Sequence, residues 1–240
     1  MAIIKGIELI KNGKRLDGRK PMELREMEMK VGVVPNANGS AMVRFGKTTA
    51  IAAVYGPRLA LPKHLQSANK AIVQCRYNMA PFSVDERVRP GSSRREVEIS
   101  KVVRLALEPV LFLENYPKTT IDIYIEIIEA DGSTRVTSIN AASLALADAG
   151  VPMKDLVVAV SGGKINGKLI IDLNGIEDNN SEADIPMAFI PGKKEITLLQ
   201  MDGELKHEEI KEIMNNIFKA GEEIYKMQVK VLKDKYRVIV

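Results

Sequence analysis

The sequence predicts an α+β chain, a mixed α/β sandwich. Three observations predict it. Short apolar runs alternating with turn signals fill much of the first third. A helix of small residues and leucine lies mid-chain. A long amphipathic stretch follows a second group of strands.

In chain order, residues 11–20 are polar, with turn signals at Asn12-Gly13 and Asp17-Gly18. Strands are expected near 27–34, 40–45 and 48–55, with hairpin signals at Asn38-Gly39 and Gly46-Lys47. Another strand fits 71–78, AIVQCRYN. The stretch 79–93, with Pro81, Pro90, charges and serines, reads as a long loop. Ser93 followed by Glu96 is a capping-box pattern, so a helix is expected from Arg94 to about Leu113. Its apolar face would hold Val97, Val102, Leu105, Val110 and Leu113, with a kink at Pro109. Residues 119–131 read as a strand. Residues 138–150 read as a tightly packed buried helix with Gly150 as its C-cap. Strands follow at about 156–161 and 168–173, joined through Asn166-Gly167. A polar acidic loop covers 174–184, and a further strand lies near 195–201. The last element is a helix over about 207–233, whose stripe of Ile210, Ile213, Met214, Ile217, Phe218, Ile224, Tyr225, Val231 and Leu232 faces the core or a neighbouring subunit. No linker composition appears, so 1–240 reads as one domain with two subdomains, approximately 14–150 and 151–235.

The 240 residues are 45% hydrophobic and 28% charged, an ordinary globular composition. A net charge of +4 permits a polyanionic partner without requiring one. The lone Cys75 excludes an internal disulfide and a cysteine-rich zinc site. With only His64 and His207, a histidine-built metal site or a nucleophile–histidine device is a poor first reading. No run reaches the roughly 18 apolar residues of a membrane span. The N-terminal stretch lacks the apolar run of a signal peptide, so a cytoplasmic protein without membrane contact is the default expectation.

Two motifs fail on inspection. Gly46-Lys47-Thr48 resembles the end of a phosphate-binding P-loop, but the glycine required five positions earlier is Ala41, and a hairpin explains the segment better. Asp172-Leu173-Asn174 resembles the start of a calcium loop, but its glycine falls at the fourth position.

Three charged loops carry chemistry. Asp131-Gly132-Ser133-Thr134-Arg135 is a glycine-containing turn feeding a helix, where free backbone N–H groups face an anion. Ser133, Thr134 and Ser138 add hydroxyls, and Arg135 adds a positive fork, which suits one phosphate. The same residues also read as a plain helix cap with a surface arginine. Residues 172–184 contain Asp172, Glu177, Asp178, Glu182 and Asp184, a cluster that repels itself unless a cation or arginines compensate it. Such carboxylates are hard ligands for magnesium or manganese, and crowding turns one into a general acid; the bland alternative is a solvated loop. Arg94 and Arg95 sit in a first helical turn, where cations cost a few tenths to about 1 kcal/mol each. A bound phosphate reverses that sign; two exposed arginines are the plain alternative. Together the loops suit a reaction with two phosphates, one attacking and one being cleaved: phosphorolysis of a nucleic acid backbone.

The spaced motifs then resemble one family. KRLDGRKP at 14–21 with Glu23 and Arg25, Tyr55-Gly56-Pro57, Ser93-Arg94-Arg95-Glu96, the turn at 131–135, and Glu177-Asp178 with Glu182-Ala183-Asp184 match, in order, the RNase PH family. The resemblance runs from about residue 14 to 230. YNMAPFS at 77–83 and AASLALADAG at 141–150 are most similar to the catalytic branch found in archaeal exosomes. Bacterial tRNA-trimming relatives usually carry a second glycine where this chain has Ser133, a departure that favours the exosome branch and keeps the main-chain donors.

The resemblance implies an RNase PH fold, like domain 2 of ribosomal protein S5. It implies a 3′→5′ exoribonuclease that uses inorganic phosphate as co-substrate, releases nucleoside diphosphates and runs backwards to add tails. It implies RNA as substrate, a hexameric ring of three heterodimers with a non-catalytic RNase PH-like subunit, RNA-binding cap subunits, and Mg2+ or Mn2+. Carried over, Gly132, Ser133, Thr134, Arg135 and Ser138 would hold the attacking phosphate, and Arg94 and Arg95 would grip RNA near its 3′ end. Asp178 would lead as general acid, and Asp184 would hold the metal with it or share the acid's work. Lys63 and His64 match a channel-lining loop more weakly. The competing readings are a homomeric tRNA-trimming phosphorolase and a non-catalytic RNA-binding ring subunit.

Overall fold

The computed structural model describes residues 9–89, 91 and 93–237. The N-terminal reading of 1–8, and Pro90 in the expected loop, lie outside the described residues.

The chain opens with a small hairpin, β1 (Ile10–Lys11) and β2 (Lys14–Arg15), turning at Asn12-Gly13 with φ of 52° and 75°. The first sheet follows: β3 (Met27–Val31), β4 (Gly39–Phe45), β5 (Thr48–Leu59), β6 (Ile72–Met79) and β7 (Thr119–Glu129), in the order β3-β4-β5-β7-β6. All neighbours are antiparallel except β6 and β7. A parallel pair needs a crossover, and helix α1 (Arg94–Leu107) supplies it. The second sheet contains β8 (Val158–Ile165), β9 (Lys168–Ile171), β10 (Ala183–Ile190) and β11 (Glu195–Leu199), in the order β11-β10-β8-β9, with β12 (Asp202–Gly203) also on β10.

Helix α2 (Thr134–Asp148) touches strands of both sheets, which explains its composition. Thirteen of its fifteen residues are buried, and alanines and serines let both sheets approach. Its C-terminus follows the expected glycine stop: Gly150 at φ 70° donates to the Ala147 carbonyl, and Val151 donates to that of Leu146. Helix α4 (His207–Tyr236) covers β8 and β9, burying Ile213, Ile217 and Ile224 from the expected face and Ala220 beside them. A short helix, α3 (Gly175–Asn180), precedes β10.

Four expectations change. The stretch 174–184 is a helical turn running into a strand, because Asn174 caps α3 with Glu177 and β10 begins at Ala183. Asn38-Gly39 is not a two-residue hairpin: β3 ends at Val31, and Gly39 already pairs with Val54 inside β4. Helix α1 ends at Leu107 and continues as a 3-10 turn over Glu108–Val110, since Pro109 has no N–H to extend the ladder. Its inner face is Ile99, Val102, Val103, Ala106 and Leu107, whereas Val97 is 60% and Leu105 45% exposed.

Candidate active site

Three helix N-termini and the start of β10 meet in one place. The cavity between them is lined by Arg95 from α1, by Ser133, Thr134, Arg135 and Val136 at the start of α2, by Ser161 of β8, Asp178 of α3, and Asp184 and Pro186 of β10. It holds ≈ 40 Å³. A water needs roughly 10–15 Å³ on that measure, so the space suits about three waters or one tetrahedral anion.

The turn at 131–135 is rigid because three residues brace it. Thr48 Oγ1 donates to the Gly132 carbonyl at 2.8 Å and accepts from the Asp131 amide at 2.9 Å. Arg25 Nη1 donates to the Asp131 carbonyl at 2.7 Å. Asp131 Oδ1 accepts from the Gly175 amide at 2.9 Å, joining the turn to α3. Gly132 has φ of 73°, and a Cβ there would lie 2.5 Å from the carbonyl carbon of Asn174, so only glycine fits.

Ser133 occupies the N-cap position of α2 in the left-handed region, φ 54°, yet its hydroxyl makes no capping bond. It donates instead to the Leu173 carbonyl at 2.7 Å and shares a 2.7 Å hydrogen bond with Ser161 Oγ. The first-turn amides of α2 therefore keep their donors for something else, at the positive end of a buried helix dipole. Arg95 Nη2 reaches Thr134 Oγ1 at 3.5 Å, and Arg135 Nη2 lies 3.1 Å from Glu98 Oε2.

The acidic cluster divides. Arg25 binds Asp172 through Nε at 2.9 Å and Nη2 at 2.6 Å. Arg15 binds Glu177 with both partners buried, and Lys164 lies 3.8 Å from Glu182. Asp178 and Asp184 line the cavity. Burial raises the Asp178 pKa, against the pull of Arg95, Arg135 and Arg25. Burial, then the charge of Asp178, pushes Asp184 up to about 7, with Arg135 pulling against it. The two carboxylates repel each other, which favours the protonated form of Asp184.

The remaining expected site residues lie elsewhere. Ser138 is fully buried one turn into α2, and its hydroxyl donates to the Thr134 carbonyl at 2.8 Å, so it does not face the cavity. Arg94 is exposed beside the site without lining it. Lys63 and His64 sit on an exposed 3-10 turn between β5 and β6. Sequence reasoning missed Ser161, Val136 and Pro186 in the lining and Thr48 beneath the turn. No local signal marks Ser161 or Thr48, because both reach the site from distant strands.

This geometry goes with a known class. Residues 23–152 match the model of domain 1 of the 3′ exoribonuclease family, and 155–219 match domain 2. The chain belongs to this family, the RNase PH family. Among its relatives, the exosome complex component Rrp41 of Pyrococcus furiosus is 58% identical over 96% of this chain and 93% of its own length. The same component of Pyrobaculum arsenaticum is 53% identical over 97% and 95%. The crystal structure of rice (Oryza sativa) Rrp46 superposes with a TM-score of 0.83 at 26% identity, covering 91% of this chain and all of that one.

Proposed function

We propose that the chain is the catalytic subunit of an exosome ring: a phosphate-dependent 3′→5′ exoribonuclease that releases nucleoside diphosphates. The observation that carries this reading is the uncapped N-terminus of α2. It opens into a cavity of single-anion size between two arginines and two carboxylates.

In this reading, the amides of residues 133–136 and the guanidinium of Arg135 hold inorganic phosphate. Arg95, with Arg94 outside it, grips the RNA phosphates near the 3′ end. An oxygen of the bound phosphate attacks the phosphorus of the last internucleotide linkage. A new P–O bond forms and the P–O3′ bond to the penultimate nucleotide breaks. The departing 3′ oxygen takes the proton held by the Asp178–Asp184 pair, leaving a shortened RNA and a nucleoside diphosphate. Fixed cations and amides stabilise charge on the transferring group without a covalent intermediate. Water is not the nucleophile, so the reaction is not hydrolysis.

Asp178 and Asp184 also fit Mg2+ or Mn2+. Magnesium is commonly held by one or two carboxylates, with substrate phosphate and water completing its shell. The mutual repulsion of this pair is the excess negative charge that a cation relieves. Among the described residues no cluster of three His, Cys, Asp or Glu side chains forms a fuller cage. When bound, the ion would neutralise charge on the phosphate oxygens.

Assembly is supported by the naming of the relatives and by apolar side chains left uncovered on neighbouring elements: Val97 and Leu105 on α1, and Ile196 and Leu199 on β11. These fit a ring with other RNase PH-like subunits, completed as a hexamer of three heterodimers. RNA-binding cap subunits and a cytoplasmic setting follow from the same reading. No described helix is long and apolar enough to cross a membrane.

The test uses RNA labelled near its 3′ end, with magnesium, with and without inorganic phosphate, on the chain alone and with its ring partner. Phosphate-dependent release of nucleoside diphosphate is expected, strongest in the assembled ring. Release of monophosphate without phosphate would contradict the reading, and full activity as a homomer would favour the tRNA-trimming alternative.

A further inference from the structure

Arg135 stands between two acidic groups. On one side Glu98 of α1 accepts from its Nη2 at 3.1 and 3.3 Å. On the other, Asp178 and Asp184 feel its charge, yet neither forms an ion pair with it among the described residues. The Nε of Arg135 is buried without a partner. Glu98 lies three residues after Arg95, on the same face of α1. It is itself braced, since Gln200 Nε2 donates to its Oε1 at 3.3 Å.

We propose that Glu98 is a positioning residue for Arg135: it anchors the guanidinium on the α1 side of the cavity and so keeps the anion site open. The proposal deepens the phosphorolysis reading and rests on it. An arginine released from Glu98 has a ready alternative in the two carboxylates across the cavity. An ion pair there would spend its donors and close the space that a phosphate needs. Geometry supports this role over a surface ornament, because a guanidinium with one bonded terminal nitrogen and a buried, unpartnered Nε is held for a third group. The pair contributes little to folding: the Glu98 side chain is 42% exposed, and exposed ion pairs stabilise weakly.

The test compares wild type, Glu98→Ala and Glu98→Gln, with folding checked by thermal melting. Binding of inorganic phosphate is measured by calorimetry on the full chain. The phosphate dependence of diphosphate release is measured on the assembled ring at saturating RNA. Glu98→Ala is expected to weaken phosphate binding and raise its KM by about tenfold, with kcat at saturating phosphate within about twofold. Glu98→Gln keeps an acceptor oxygen for Arg135 and is expected to stay within about threefold of wild type. Phosphate affinity in Glu98→Ala equal to or tighter than wild type would overturn the proposal, as would a loss of kcat with KM unchanged. A wild-type ring that releases no diphosphate would sink the phosphorolysis reading instead, while the calorimetry would still decide the role of Glu98.

Discussion

Helices α1 and α2 both begin at the cavity, and they begin in opposite ways. At α1 the end is closed: Ser93 Oγ accepts from the Glu96 amide at 3.1 Å, and Glu96 Oε2 accepts from the Ser93 amide at 2.7 Å. At α2 the end is open, because the Ser133 hydroxyl is spent on Ser161 and Leu173. A closed end offers a ligand only its side chains, here Arg94 and Arg95. An open end offers its backbone. The difference assigns the two phosphates of the proposed reaction: the mobile RNA backbone to long, adaptable arginines, and the small attacking anion to fixed amides. It also explains how α1 tolerates cations in its first turn. The capping box supplies Glu96 there, 6% exposed, as a local counter-charge.

The sharpest way to break this contrast is to close the α2 turn. Gly132→Ala places a Cβ against the α3 backbone at a positive φ, and is expected to cost about 2–4 kcal/mol of stability. Phosphate-dependent activity should fall with it at temperatures where the variant is still folded, as melting curves and a phosphate titration would show. Charge reversal on α1 should separate the two ends. Arg95→Glu is expected to raise the KM for RNA by about 10–100-fold, to raise the KM for phosphate by a smaller factor because Arg95 also lines the anion cavity, and to leave the melting temperature unchanged.

The carboxylates give a signature in pH. Asp184 is pushed up to about 7 in the folded chain from an ordinary carboxylate value of 3.8. The folded state then binds the extra proton between those values, so this group's contribution to stability declines as pH rises through that window. Asp184→Asn should remove the decline and make the chain more stable than wild type at pH 8, by about 1–3 kcal/mol in denaturant melts run without divalent metal. The smallest expected effect falls on the closed end. Ser93→Ala should cost about 1 kcal/mol and lower the melting temperature by about 2–4 °C, with both KM values within about twofold of wild type.

Much of this was legible in the chain, for reasons that are local. The capping box at Ser93 and Glu96, the turns at Gly46-Lys47 and Asn166-Gly167, and the glycine stop at Gly150 are each decided by a few neighbouring residues. The charged loops that meet in the cavity were visible as three separate anomalies. What was not legible depends on distance in the fold. Asp172, Glu177 and Asp178 look alike in sequence, but only the third is left for the cavity, because Arg25 and Arg15 arrive from about 150 residues away to pair the others. Ser138 was expected as a phosphate ligand for its hydroxyl and through the family resemblance, yet the helix that starts at Thr134 turns it into its own backbone. Strand β10 was hidden because Asp184 and Pro186 interrupt its apolar run at the site itself. Val97 and Leu105 followed the apolar pattern of α1 but face outward, a pattern that a subunit contact explains as well as a core does.

The most direct test of the open-end account is an amide chemical-shift titration of the isotopically labelled chain with inorganic phosphate. The expected result is saturable shifts at the amides of residues 133–136, with the amides of the closed α1 start unmoved. Shifts centred on α1, or no response at 133–136 under conditions where phosphate drives diphosphate release, would contradict it.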